Sequence, residues 1–362
     1  MRVLVAGGGT GGHLYPGIAV AQEIKARRPD AEIVFVGTAH GIESRVIPRE
    51  GFPLEVIRSG GLKGKSLTEI FYGLFLLPLS ALDAWRVLSE WSPEVVIGVG
   101  GYSSGPVVLL ASFRGIPTLL LEQNAMPGLT NRLLAWVIDV AAVAYEESTK
   151  FFRGKAFIAG NPVRSQFHQW KKNISATANE ALQETRVLIF GGSQGAHAIN
   201  LAMVAAASHL AGAKTKMIIT HQTGERDLEM VREGYRRVGL LVRVEAFLFD
   251  MDQEMKNADL IVCRAGATTI AEIAALARPA ILIPLPTATD DHQRKNALAL
   301  KSIGAARLLE QQGLSGERLA SEITDLCIDT ATRIKMSKVV QSFSRPEAAR
   351  LIVDRAFSLM AR

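Results

Sequence analysis

The sequence predicts two doubly wound α/β domains in tandem, each on a parallel sheet, and three observations predict it. At 362 residues the chain is about twice the usual domain size. An apolar run ending in glycines occurs twice, as Arg2-Val3-Leu4-Val5-Ala6-Gly7-Gly8 and as Arg186-Val187-Leu188-Ile189-Phe190-Gly191-Gly192. Each copy leads into a helical pattern and then further short apolar runs, the alternation that calls for a parallel sheet.

Taken in order, the first half reads as a strand over 2–6, a glycine loop over 7–12, a helix from about 16 to 26 and a strand over 33–37. Strands follow at 95–98, 118–121 and 140–144. The second half continues with strands at 216–220, 242–246, 260–263 and 280–283, and a helix at 269–276. Gly160-Asn161-Pro162-Val163 has turn chemistry, and the polar stretch 171–184 lacks apolar periodicity, which marks a linker. The expected domains are 1–162 and 163–345, followed by a helix at 346–362 that can pack back on the first.

With 48% hydrophobic residues the chain can fill two cores, which excludes disorder. Its net charge of +6 fits phosphorylated ligands, anionic lipid or nucleic acid. No basic stripe with interleaved aromatics is present, so nucleic acid is not an expected partner. Cys263 and Cys327 lack the spacing of a zinc site or a disulfide framework, which fits a reducing compartment. The N-terminus has no signal-peptide pattern, and no run of 18 apolar residues exists to span a bilayer.

Chemistry concentrates at strand ends. Gly7, Gly9 and Gly12 satisfy the dinucleotide pattern G-x-G-x-x-G, but the second strand ends Val36-Gly37-Thr38 without the acid that holds a ribose. The loop still offers N–H groups at a helix N-terminus, the requirement for cradling a pyrophosphate; the alternative is a tight turn with no ligand. A second glycine cluster runs over 98–106 and a third over 191–196. Ligands of open α/β sheets bind beyond the strand carboxyl ends, so two such domains facing each other would enclose a cleft lined by all three loops.

Cys263-Arg264-Ala265-Gly266-Ala267-Thr268-Thr269-Ile270-Ala271-Glu272 reads as strand, small-residue turn and helix start. Phosphate could approach the Thr269 helix while Glu272 reaches ribose hydroxyls; equally, Thr268 or Thr269 could form a capping box with Glu272. Asp250-Met251-Asp252 imitates a metal-binding Asp-x-Asp, but its place after a strand favours N-capping by Asp250, so no metal ligand is expected.

These residues add up to a family. Gly-Gly-Thr-Gly-Gly-His at 8–13, Gly-Gly-Tyr-x-Ser-Gly-Pro at 100–106, Glu-Gln-Asn at 122–124, Gly-Asn-Pro-Val-Arg at 160–164, Gly-Gly-Ser-Gln-Gly-Ala at 191–196 and Cys-Arg-x-Gly-Ala-x-Thr with Glu at 263–272 closely resemble the MurG family of N-acetylglucosaminyltransferases. The motifs fall in the family's order across nearly the whole chain.

The resemblance implies a GT-B fold with the donor UDP-GlcNAc in the second domain and the lipid-linked acceptor, lipid I, met by the first. It implies transfer of GlcNAc to the 4-hydroxyl of MurNAc with inversion, at the cytoplasmic face of the membrane and without a cofactor. Carried over by position, Leu248 meets the uracil through its backbone and Glu272 the ribose. Ser193, Ala267 and Thr269 contact the diphosphate, within a binding stretch that includes Thr268, Ile270 and Ala271. Arg164 lies beside the nucleotide and Gln293 binds sugar hydroxyls, while Thr10, Gly11, Gly12 and Asn124 face the sugar from the first domain. Leu121 stands where several members carry His, and His197 where the family often has Arg; His197 is read as a surface or capping residue.

His13 is the expected general base, because the positive end of a helix dipole keeps imidazole neutral; Glu122 is its rival. Alternatives are a transferase acting on another lipid acceptor, a UDP-GlcNAc epimerase, an NAD-dependent oxidoreductase and a non-catalytic scaffold. Proteins of cell-wall synthesis are expected partners. An anionic membrane surface is another, met by Arg58, Lys63 and Lys65 with Phe71, Leu74, Phe75 and Leu79 at helical spacing, unless these form an ordinary core helix.

Overall fold

A computed structural model describes residues 1–60, 67–168, 184–192, 194–213, 215–288 and 291–361. The chain divides into two compact units, Met1–Ser165 with Arg345–Arg362, and Gln166–Ser344.

The first unit holds β1 (Arg2–Gly7), β2 (Glu32–Gly37), β3 (Leu54–Val56), β4 (Val95–Gly100), β5 (Thr118–Glu122), β6 (Val140–Val143) and β7 (Ala156–Ile158), in the order β3-β2-β1-β4-β5-β6-β7. The second holds β8 (Thr185–Phe190), β9 (Met217–Gln222), β10 (Val242–Glu245), β11 (Leu260–Cys263), β12 (Ala280–Leu282) and β13 (Ala306–Leu308), in the order β10-β9-β8-β11-β12-β13. Neighbouring strands are parallel throughout. Helices cover such sheets on both faces, which is why β4 and β11 read as continuous apolar runs and are buried along their whole length.

Strand order reverses between β1 and β4 and again between β8 and β11. These are the switch points where the loops beyond the strand ends diverge and leave a crevice. The first and second glycine loops follow β1 and β4, and the third follows β8. The helix Gly11–Arg27 packs close on the first sheet through Gly17, where a Cβ would stand 2.9 Å from Val99 and 3.2 Å from Val5.

The strands absent from the sequence reading, β3, β7 and β13, are three residues each and lie at sheet edges. Three residues are too few to display a period. The C-terminal helix Ala348–Met360 belongs to the first unit. It lies on Gly11–Arg27, with Arg27 paired to Asp354 at 2.7 Å and set over the Phe357 ring at 5.0 Å. Among the described residues no helix is long and apolar enough to cross a membrane.

Candidate functional site

At the first switch point the two glycine loops pack backbone against backbone. A Cβ on Gly7 would collide with the Gly100 carbonyl, and one on Gly101 would stand 2.6 Å from the Gly8 carbonyl. The surplus of glycines thus serves close approach between loops as well as chain reversal.

Thr10 is the N-cap of the helix Gly11–Arg27, and Thr10 and Gly12 are exposed. His13 is the third residue of that helix, and its ring lies on Gly100, where a Cβ would come within 2.8 Å of Nδ1. Nδ1 is 3.1 Å from Gln123 Oε1. The Gln123 amide is itself oriented, because its Nε2 donates to the Val99 carbonyl at 3.1 Å and a carbonyl can only accept. Its oxygen therefore faces His13, and Nδ1 is the donor of that bond.

Glu122 is buried and accepts from Asn124 N at 2.9 Å, Asn124 Nδ2 at 3.3 Å, Gly128 N at 3.2 Å and Asn131 Nδ2 at 2.9 Å. Four donors occupy both oxygens, so the carboxylate holds the turn after β5. A second buried carboxylate, Glu43, accepts from Gly9 N and from both the N–H and the hydroxyl of Thr38, all at 2.8 Å. Arg164 lies in the first unit, its guanidinium over the Tyr15 ring at 4.2 Å and 3.8 Å from Glu50.

In the second unit the third glycine loop is tied to the end of β9. Gln222 donates from Nε2 to the Gly192 carbonyl at 2.8 Å and accepts at Oε1 from Leu248 N at 3.1 Å. One buried amide thereby links the expected diphosphate loop to the expected uracil contact. Beneath it, Asn200 Nδ2 donates to the Thr223 carbonyl and to Asp227, both at 2.8 Å, which turns Asn200 Oδ1 toward His221 Nε2 at 3.1 Å. His221 Nδ1 meets the Tyr235 hydroxyl at 2.8 Å. Burial alone pushes the His221 imidazole down to about 3, so the ring is neutral. His197, half exposed, meets both Asp227 oxygens at 2.9–3.0 Å.

The helix Ala267–Ala275 starts from Gly266 at its N-cap, without a side-chain capping bond. Glu272 is the sixth residue of that helix, outside capping-box reach, so it does not form the capping box that was its alternative role. Ala267, Thr268, Ile270 and Glu272 are buried, with Thr269 and Ala271 half-buried between them. Gln293 Oε1 accepts from Leu285 N at 3.0 Å. Ser193 lies outside the described residues. Asp250 stands at the N-cap of Met251–Asn257 but makes no capping bond, and Asp252 pairs with Lys256 at 3.0 Å. Among the described residues no group of three or more His, Cys, Asp or Glu could hold a metal ion.

Glu43, Gln123 and Gln222 were missed as site residues. Gln123 stands inside a quoted motif, and Gln222 is a polar residue closing an apolar strand, which is a weak but usable signal. Glu43 carried none.

Two parallel doubly wound units with glycine loops at both switch points define the GT-B class of nucleotide-sugar transferases. Residues 3–143 match the glycosyltransferase family 28 N-terminal domain and 186–352 its C-terminal domain. A UDP-N-acetylglucosamine--N-acetylmuramyl-(pentapeptide) pyrophosphoryl-undecaprenol N-acetylglucosamine transferase of Anaeromyxobacter sp. (strain K) is 46% identical, covering 100% of this chain and 94% of its own length. A like-named protein of Myxococcus xanthus (strain DK1622) is also 46% identical with the same coverage. The crystal structure of Acinetobacter baumannii MurG superposes with a TM-score of 0.73 at 29% identity, over 99% of both chains. A UDP-GlcNAc 2-epimerase of Neisseria meningitidis shares the fold, with a TM-score of 0.67 at 14% identity over 99% of this chain and 100% of its own. The chain belongs to the MurG family of glycosyltransferase family 28.

Proposed function

We propose that this enzyme transfers GlcNAc from UDP-GlcNAc to the 4-hydroxyl of MurNAc in lipid I, with inversion and release of UDP, and that His13 is its general base. The observation that carries the base assignment is the ordered run from the Val99 carbonyl through Gln123 to His13 Nδ1. In the neutral ring that run leaves Nε2 as the proton acceptor. The acceptor hydroxyl loses its proton to Nε2 as its oxygen attacks the anomeric carbon, and the bond to the UDP oxygen breaks.

The donor is assigned to the second unit, with uracil on the Leu248 backbone, ribose on Glu272, diphosphate at Ala267 and Thr269, and sugar hydroxyls on Gln293. Helix N-termini there supply fixed positive potential for the leaving diphosphate. UDP-GlcNAc is expected to raise the melting temperature and NAD to leave it unchanged, since a ligand that binds only the native state stabilises it. Stabilisation by NAD alone would return the reading to an oxidoreductase.

The enzyme is further proposed to bind the cytoplasmic membrane surface peripherally. Arg58 pairs with Asp83 at 2.7 Å, a bond that holds the Asp83 carboxyl below the usual carboxylate range, so part of its charge is already met within the chain. Lys63 and Lys65, and the side chains of Phe71, Leu74 and Phe75, lie outside the described residues. Support comes from neighbouring elements of the same unit: Leu82, Trp85, Phe113, Leu133 and Trp136 are each more than half exposed. Arg114 covers the Trp85 ring at 4.8 Å and Arg153 the Trp136 ring at 3.4 Å. Aromatics under guanidinium groups suit the headgroup layer of an anionic bilayer. Vesicle co-sedimentation should lose most of its bound fraction in Trp85→Glu/Trp136→Glu and in vesicles without anionic lipid; indifference to both would remove the patch from consideration.

A further inference from the structure

The Glu43 carboxylate takes no part in the reaction proposed above, yet it is the most deeply buried acid of the first unit. Its side chain is 0% exposed, and among the described residues no cation is paired with it. A bare carboxylate in such a place is costly unless charge-assisted hydrogen bonds replace its hydration. Oε2 accepts from Gly9 N at 2.8 Å, 34 residues away, and Oε1 accepts from the Thr38 N–H and hydroxyl at the same distance. The space around it is kept by glycines from three segments. A Cβ on Gly8 would stand 2.6 Å from the carboxyl carbon, one on Gly37 would stand 2.5 Å from Glu43 Cγ, and one on Gly41 would overlap the carboxyl group.

Gly7, Gly8 and Gly9 all have positive φ, at 142°, 155° and 83°. Such a run has large freedom to lose when it orders. The Gly8 N–H reaches the Gly100 carbonyl only at 3.4 Å, so the 2.8 Å bond from Gly9 to Glu43 is the short tie of this loop. One residue on, Thr10 caps the helix whose third residue is His13. We propose that Glu43 is a positioning residue for the transfer reaction: its carboxylate holds the Gly9 N–H of the first glycine loop from inside and thereby sets the helix start that presents His13. Gly9's N–H is thus spent on the protein and is closed to a substrate phosphate. A neutral amide cannot substitute, since it has one acceptor oxygen and would turn an NH2 group toward an N–H donor. This inference rests on His13 as the base.

The test is Glu43→Gln in the full-length enzyme, with kcat, KM for UDP-GlcNAc and melting temperature measured together. Displacing a base by a fraction of an ångström lowers turnover on the order of 10- to 100-fold, so kcat should fall by that much while KM for the donor stays within about twofold. Glu43→Asp keeps the charge but retreats from Gly9, and should show a smaller fall in kcat. Thr38→Val, which loses one hydrogen bond but not the Gly9 tie, should lower the melting temperature with kcat within about threefold. Equal kcat losses in Thr38→Val and Glu43→Gln at equal loss of stability would make Glu43 a structural acid only, and normal turnover in Glu43→Gln would overturn the proposal. Combination with His13→Ala separates the two readings. If Glu43 acts through His13, the double variant is no slower than His13→Ala alone. Multiplying defects would sink the Glu43 role and leave His13 standing, whereas near-normal turnover in His13→Ala would sink the base assignment itself.

Discussion

The first and third glycine loops occupy the same place in two sheets, after β1 and β8, and both run apolar strand, glycines, helix. What holds each from inside differs. Loop one gives an N–H, that of Gly9, to the Glu43 carboxylate. Loop three gives a carbonyl, that of Gly192, to the Gln222 amide. An internal anion competes with a phosphate for the N–H groups of a helix-start loop, while an internal amide bound to the carbonyl side leaves no negative charge there. A glycine motif therefore marks where a chain can approach an anion, and the internal partner decides whether that anion is a substrate's or the protein's own. This division agrees with the proposal that loop one serves the base and loop three the donor diphosphate.

The sharpest break of that division is His13→Ala. Loss of a general base lowers turnover by roughly 10²–10⁴-fold. UDP-GlcNAc affinity, assigned to the other unit, should stay near normal by calorimetry. Donor binding and turnover lost in proportion would mean that loop one also holds the donor.

Glu272→Ala should act in the opposite sense. A hydrogen bond from ribose to a carboxylate contributes about 1.5–3 kcal/mol, so UDP-GlcNAc should bind roughly 10- to 150-fold more weakly. The helix Ala267–Ala275 has no capping box to lose, so a change in thermal stability would report other contacts of this buried carboxylate. A variant that loses stability while keeping donor affinity would give Glu272 a purely structural place.

Gln222→Met tests the amide link with a smaller effect. It fills a similar volume but gives up the bonds to Gly192 and Leu248, neutral contacts of about 1 kcal/mol each. UDP should weaken by roughly 5- to 30-fold, with kcat at saturating donor nearly unchanged. Unchanged UDP affinity would show that loop three and Leu248 hold the nucleotide independently of each other.

The central strands were legible because parallel strands covered on both faces spell long apolar runs, as Val95 to Gly100 does. The edges were not, since Leu54–Val56 or Ala306–Leu308 offers too little pattern. Glycine loops could be located but not filled: Gly9 finds Glu43 34 residues on, and His13 finds Gln123 at a separation of 110. The first joins the ends of the adjacent strands β1 and β2, and the second reaches from the helix after β1 to the end of β5, which the strand order sets just beyond β4.

The smallest expected effect is in pH dependence, and it too separates the two loops. Beneath loop three a neutral His221 donates from Nε2–H to Asn200 and accepts at Nδ1 from Tyr235, with the Asp227 carboxylate on the far side of Asn200, whereas loop one bonds an anion directly. His221 titrates near 6.5 when unfolded and is pushed down to about 3 by burial in the folded protein. Between those values the unfolded chain binds one more proton than the native one, so stability from this residue is full above 6.5 and declines as pH falls toward 3. From pH 7.5 to 6.0 the decline amounts to about 0.8 kcal/mol. Asp227, raised by burial but brought lower overall by Asn200 and His197, keeps its stabilising contribution above its unfolded value of 3.8 and does not move in that window. Urea unfolding of the second unit's transition, followed from pH 7.5 to 6.0, should show the decline in the wild type and a flatter line in His221→Asn, whatever that variant's absolute stability. Parallel lines for the two proteins would mean that His221 is protonated in the native state, and that a cation accompanies Asp227 beneath the third loop.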